Sequence, residues 1–121
     1  MADHYADYLV LRDLMIKTAP MMQIGKDTQG DCTLNVPPVN IMASKDPVWF
    51  GSVRMGKSFV SYYLMPLSQP ALYAKVPENL KKFMQGRTCF NIHTIEPDIL
   101  LSLEAVTRLA TEQSHVPAKA S

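Results

Sequence analysis

Arg54, Ser52, Ser61, Tyr63, Asn91 and His93 are the residues with which this chain could hold a small ligand. A guanidinium offers a planar two-point fork to a carboxylate or another small anion. Hydroxyls, an amide and an imidazole supply further donors and acceptors, and Phe50 adds aromatic surface beside them. Their spacing is that of strands. Ser52 and Arg54 flank Val53, Ser61 and Tyr63 flank Tyr62, and Asn91 and His93 flank Ile92. Successive side chains of a strand point to opposite sides of a sheet. If the third run joins the first two with Phe90 and Ile92 toward the core, the polar groups share the other side. A solvated sheet face, or a homodimer contact made by Phe50, Phe59 and Tyr63, is the plainer account of the same pattern.

Other residue groups carry less chemistry. Hard cations such as ferrous iron prefer oxygen ligands. Asp3 and Asp7 share one face of a helix with His4 beside them, and Asp27 and Asp31 flank a turn. Negative charge at a helix start complements the helix dipole, which explains Asp3 and Asp7 without a metal. Cys89 and His93 lie on the same side of one strand but roughly 13 Å apart, too far for a nucleophile and its base. An enzyme is therefore the third choice of function, and no catalytic residue is assigned. Lys81, Lys82 and Arg87 around Gly86 could bind an anion, but such lysines are commonly the solvated face of a short helix. Gly56-Lys57-Ser58 lacks the earlier glycine of a phosphate loop and sits in a hairpin. No cofactor is evident.

The element that must position these residues is the stretch from 48 to 66, VWFGSVRMGKSFVSYYLMP. It reads as a hairpin with Gly56-Lys57 as a two-residue primed turn, glycine accepting the positive φ. That turn pairs Met55 with Ser58, Val53 with Val60, Gly51 with Tyr62 and Trp49 with Leu64. One side then carries Trp49, Val53, Met55, Val60, Tyr62 and Leu64 toward the core, with Gly51 leaving room for the Tyr62 ring. The other carries Phe50, Ser52, Arg54, Phe59, Ser61 and Tyr63. Pro66 ends the second strand.

Around the hairpin, residues 3 to 19 have helical apolar spacing at Tyr5, Tyr8, Leu9, Met15 and Ile16. Residues 21 to 30 read as a short strand and a turn. Residues 31 to 36 alternate, with Cys32, Leu34 and Val36 on one side, and Val39, Ile41 and Ala43 form a second short run. Ser68 is positioned to cap a short helix containing Pro70, Leu72 and Tyr73. Residues 77 to 85 read as another helix, stopped by Gly86. Residues 88 to 93 form a strand, and a helix opens at Pro97. The order is α+β: an antiparallel sheet with N- and C-terminal helices packed on one face.

The chain has 121 residues and a net charge of +1, with acids and bases interspersed. One domain is expected over 1–113, followed by a flexible polar tail over 114–121. No basic stripe favours nucleic acid. No apolar run approaches the ~20 residues of a membrane helix, and the acidic N-terminus is unlike a signal peptide. Cys32 and Cys89 are too few for a disulfide framework and suit buried thiols in a cytoplasmic protein.

The second half of the chain resembles a bacterial domain family called YdhG-like. The resemblance rests on WFGSVRMGKSFVSYYLMP at 49 to 66, LKKFMQGRTCFNI at 80 to 92 and a terminal amphipathic helix. Lys57, Val60, Ser61, Tyr62, Leu64, Met65, Pro66, Leu80, Lys81, Lys82, Gly86, Cys89, Phe90 and Asn91 match its pattern. Tyr63 stands at its second aromatic position, and Arg87 replaces its lysine after the glycine. The resemblance implies an α+β domain with a curved antiparallel sheet. It also implies an alternative function, since some members are described as frataxin-like iron chaperones, for which Asp3 and Asp7 are the candidate ligands here. The reading made from the residues themselves is a small binding or interaction module. It works through the mixed face of its sheet, with a small anionic ligand or a homodimer partner.

Overall fold

The structure is a computed structural model that describes residues 4–36, 48–86 and 88–120, with side chains described over 5–36, 49–86 and 88–112. It is α+β, as expected. Its elements in order are α1 (His4–Thr18), β1 (Gln23–Thr28), β2 (Asp31–Val36), β3 (Val48–Met55), β4 (Val60–Leu64), a 3-10 turn (Met65–Ser68), α2 (Pro70–Tyr73), α3 (Glu78–Lys81), β5 (Met84–Gln85), β6 (Cys89–Ile92) and α4 (Pro97–Ala120). The strands form one curved antiparallel sheet in the order β1-β2-β3-β4-β6-β5. No helix among the described residues is long and apolar enough to cross a membrane.

The apolar stripe of α1 lies over β3 and β4 and beside α4. Tyr8, Leu11 and Met15 from α1 meet Phe50, Val53, Tyr62, Leu64, Phe90 and Ile92 from the sheet and Leu103, Val106 and Ala110 from α4. All are excluded from water, and burial of each large apolar side chain contributes about 1.5–3 kcal/mol against the entropy of ordering it. Both long helices therefore cover one face of the sheet. Neither long helix packs on the other face.

The hairpin differs from its expected register. Met55 pairs with Val60, Val53 with Tyr62 and Gly51 with Leu64, so the loop is four residues, 56–59, closed by Gly56 N–H donating to Phe59 O at 2.9 Å. The pairing has slipped by two residues. Side-chain direction has period two, so the slip leaves every residue of β4 on its expected side.

A second difference does move residues between faces. The β2–β3 register shifts after the Leu34–Gly51 pair, and Asn35 pairs with Trp49. Phe50 is the extra residue of a β-bulge, which breaks the alternation. Phe50 enters the core at 0% exposure, and Trp49 turns outward at 42%. Both were expected the other way round. Gly51 stays on the core face, but the side chain it makes room for is Met15 of α1, not the Tyr62 ring.

Smaller differences follow local chemistry. Ser68 lies in the 3-10 turn, and Gln69 starts α2 without a side-chain cap. The helix expected over 77 to 85 is only Glu78–Lys81, begun by Pro77, because Met84 and Gln85 pair with β6 instead. Gly86 follows at φ +78°, a conformation glycine adopts without a Cβ penalty. The short run at Val39, Ile41 and Ala43 lies outside the described residues, as do Arg87 and Asp3. The side chains of the tail expected from residue 114 also lie outside them.

Candidate functional site

Strand register assembles the helix-free face of the sheet into rows. Asp31 pairs with Arg54, Arg54 with Ser61 and Ser61 with Asn91, so one row crosses β2, β3, β4 and β6. Thr33, Ser52, Tyr63 and Cys89 form the next row by the same pairings. Strands lie about 4.8 Å apart, and rows two residues apart are separated by roughly 7 Å. The bulge adds Trp49 beyond the second row, its ring 5.8 Å from that of Tyr63 and tilted by 40°.

Four of the expected residues, Ser52, Arg54, Ser61 and Tyr63, share this face with Asn91. His93 stands past the first row at the hairpin end, where Phe59 meets its ring edge-on at 5.6 Å and Phe83 lies at 6.1 Å. Phe50 does not belong to the face, for the reason given by the bulge. Trp49, Asp31 and Thr33 belong to it as well, and so does Cys89, on the side of its strand that the spacing predicts. The outward alternation of Thr33 with Asn35 was legible. What the sequence lacked was the neighbour of β2 in the sheet.

Hydrogen bonding on the face is asymmetric. Trp49 Nε1 donates to Ser52 Oγ at 2.8 Å, and Ser52 Oγ lies 3.1 Å from Thr33 Oγ1. Asn91 Oδ1 accepts from Ser61 Oγ at 3.1 Å and from Cys89 Sγ at 3.4 Å. The amide nitrogen of Asn91 has no partner among the described residues. Arg54 Nε lies 3.6 Å from Asp31 Oδ2, and Lys26 Nζ lies 3.1 Å from the same oxygen. The two terminal guanidinium nitrogens of Arg54 have no partner among the described residues, and its side chain is 61% exposed. Donors are thus in excess where Arg54 and Asn91 flank Ser61. Asp31 Oδ1 is buried without a hydrogen bond among the described residues, beside the Lys26 and Arg54 side chains.

Burial pushes the Tyr63 hydroxyl above its usual pKa, and Cys89 adds to the rise while Arg54 and Ser61 oppose it. Burial also pushes the Cys89 thiol up, against the pull of Tyr63 and Ser61. Cys89 is therefore a protonated, packed thiol at neutral pH. Cys32 is raised by burial too, and it lies on the core face of β2, on the opposite side of the sheet from Cys89. Both thiols are free.

The described carboxylates stand apart from one another. Asp7 lies in the first turn of α1. Asp27 is gripped by Arg12 through two nitrogens, Nε at 2.8 Å and Nη2 on the other oxygen. Among the described residues no three His, Cys, Asp or Glu side chains gather in one place. A cleft of about 400 Å³ opens between α1 and the β1–β2 turn, lined by Tyr5, Tyr8, Leu9, Arg12, Asp27, Thr28 and Gln29. Its charges neutralise each other, and the Tyr8 hydroxyl donates to Thr28 O at 3.1 Å, so few of its polar groups are left for a ligand.

No protein-family model, curated protein or solved structure matches this chain.

Proposed function

We propose that this protein is a small binding module whose ligand sits on the helix-free face of the sheet, over Arg54, Ser61 and Asn91. The observation that carries the reading is the surplus of donors there. Arg54 keeps two unpaired terminal nitrogens among the described residues and Asn91 an unpaired amide nitrogen, while the Asn91 oxygen already accepts two hydrogen bonds. A surface with donors to spare and a fixed positive charge recognises a small anion. The cytoplasm is the compartment we assign, because two free thiols on opposite faces of the sheet persist best in a reducing environment.

Backbone amide NMR during titration with acetate, succinate and inorganic phosphate tests this. Saturable shifts centred on Arg54, Ser61 and Asn91, abolished by Arg54→Gln, are expected. Shifts confined to other elements would overturn the reading. So would a concentration-dependent dimer that protects these same amides from exchange, because a second copy would then be the occupant.

A further inference from the structure

The same face narrows the ligand to one chemical class. Resting on the reading above, we infer that the ligand is a small aromatic monocarboxylate. Its ring lies against Trp49 and Tyr63, and its carboxylate meets the terminal nitrogens of Arg54 and the amide nitrogen of Asn91.

The aromatic half of the argument comes from the bulge. It turns Trp49 onto this face, and the indole N–H is already donated to Ser52. What the indole offers a ligand is its ring surface. The tilt of 40° between Trp49 and Tyr63 leaves an angled aromatic wall, not a closed stack. A flat ring gains from such a wall by offset or edge contacts in addition to the water it displaces.

The anionic half comes from the row of Arg54, Ser61 and Asn91. Ser61 Oγ is engaged with Asn91 Oδ1, so the remaining donors are one guanidinium fork and one amide. That set matches the two oxygens of a carboxylate. A dianion is disfavoured, because Asp31 stands 3.6 Å from Arg54 Nε and already offsets part of its charge. Tyr63 lies one row from Arg54, Ser61 and Asn91, roughly 7 Å between backbone positions, and Trp49 stands one row further along, its ring turned against that of Tyr63. A carboxylate attached to a ring directly, or through one or two carbons, spans that distance once the side chains lean together.

Trp49 is the single tryptophan of the chain, so its fluorescence reads the wall directly. The test titrates benzoate and indole-3-acetate against cyclohexanecarboxylate, benzamide and phenyl phosphate. Trp49 emission and the backbone amide shifts are followed together. The aromatic carboxylates are expected to saturate and to bind at least tenfold more tightly than the other three. Arg54→Gln, an exposed and foldable change, is expected to weaken them at least tenfold. Equal binding of cyclohexanecarboxylate would overturn the aromatic assignment while leaving an anion site on the face. Equal binding of benzamide would overturn the carboxylate assignment. Shifts that avoid Arg54, Ser61 and Asn91 altogether would overturn the site as well as the class. Silence from all five probes would overturn the inference, and the titration with simple anions then decides the face on its own.

Discussion

Trp49 Nε1 donates a hydrogen bond to Ser52 Oγ at 2.8 Å, from one side of the Phe50 bulge to the other. Ser52 is only 2% exposed although it lies on the helix-free face, and Thr33 Oγ1 stands 3.1 Å from the same hydroxyl. The pair holds the one tryptophan at a fixed angle against Tyr63. Ser52→Ala removes that anchor without creating a large cavity. The expected result is a loss of about 1–2 kcal/mol in stability, because the contact of the hydroxyl with Thr33 Oγ1 is lost as well. A red shift of Trp49 emission should accompany it as the indole swings into water. Urea denaturation and emission spectra check both. Unchanged emission would mean that the ring is held by Tyr63 alone.

Beneath the opposite face, Tyr62 of β4 is tied to α4. Its hydroxyl lies 2.7 Å from Thr107 Oγ1, and Thr107 donates its own proton to Leu103 O at 2.6 Å. Thr107 has one hydroxyl proton, so Tyr62 must be the donor between the two. Burial pushes the Tyr62 hydroxyl far above the usual tyrosine range, and the bond to Thr107 only partly opposes it. Tyr62→Phe loses one hydrogen bond and should cost about 1 kcal/mol, whereas Thr107→Val strands a buried phenol and should cost about 2–3 kcal/mol. The double substitution should cost less than the sum, as a double-mutant cycle in urea would show. Strict additivity would mean that the bond does not hold α4 to the sheet.

Much of this fold was legible from residue spacing, and the failures have local causes. Alternation located β2, β3, β4 and β6 and both long helices. The spacing predicts a hairpin loop of two residues and the structure has four, yet Ser61 and Tyr63 keep their face because a slip of two preserves direction. Phe50 was lost from the site because a bulge is a property of pairing between strands, and nothing in WFGSV marks which residue is the extra one. Met84 and Gln85 followed Leu80 and Phe83 in helical spacing, but their partner Cys89–Phe90 lies within reach and two ladder pairs end the helix early. The positive charge of Arg54 was apparent from the sequence. Its partial neutralisation by Asp31 was not, because that depends on β2 being the neighbour of β3.

Arg12 and Asp27 give a pH dependence whose sign can be worked out. The hydrogen bonds from Arg12 hold the Asp27 carboxyl below its usual value of 3.8, burial opposing them. Arg12 is raised by the same bonds and stays charged throughout. A carboxyl with a depressed folded pKa contributes stability that is present above its unfolded value and lost as pH falls through the folded one. Asp27→Asn should therefore lower stability by about 1 kcal/mol or less at pH 7, since the pair is partly solvated. The difference from the parent should begin to shrink as pH drops below about 4, the unfolded value, and vanish once pH has fallen through the lower folded value. Denaturation midpoints of both chains across that range measure it. A difference that persists at the lowest pH would assign the effect to packing of the β1–β2 turn against α1 instead.

Gly51 is the residue on which the bulge and the core meet, and it yields the sharpest substitution. A Cβ built there would stand 2.4 Å from the carbonyl oxygen of Tyr63 and 3.1 Å from the terminal methyl of Met15. The methyl can swing aside, being the end of a flexible chain. The carbonyl cannot, because it belongs to the adjacent strand. Gly51→Ala must therefore push β3 from β4 at the position where Trp49 and Phe50 exchange faces. The expected cost is about 1–3 kcal/mol, the range for overpacking a tight site. Because the bulge orients Trp49, the same substitution should shift Trp49 emission in the folded protein. It should also weaken any aromatic ligand there, while Met15→Ala, which opens space on the core side, should leave the emission unchanged. If Gly51→Ala lowers stability and leaves Trp49 emission as it was, the indole is not positioned by the bulge, and the open face owes its aromatic wall to the Tyr63 contact.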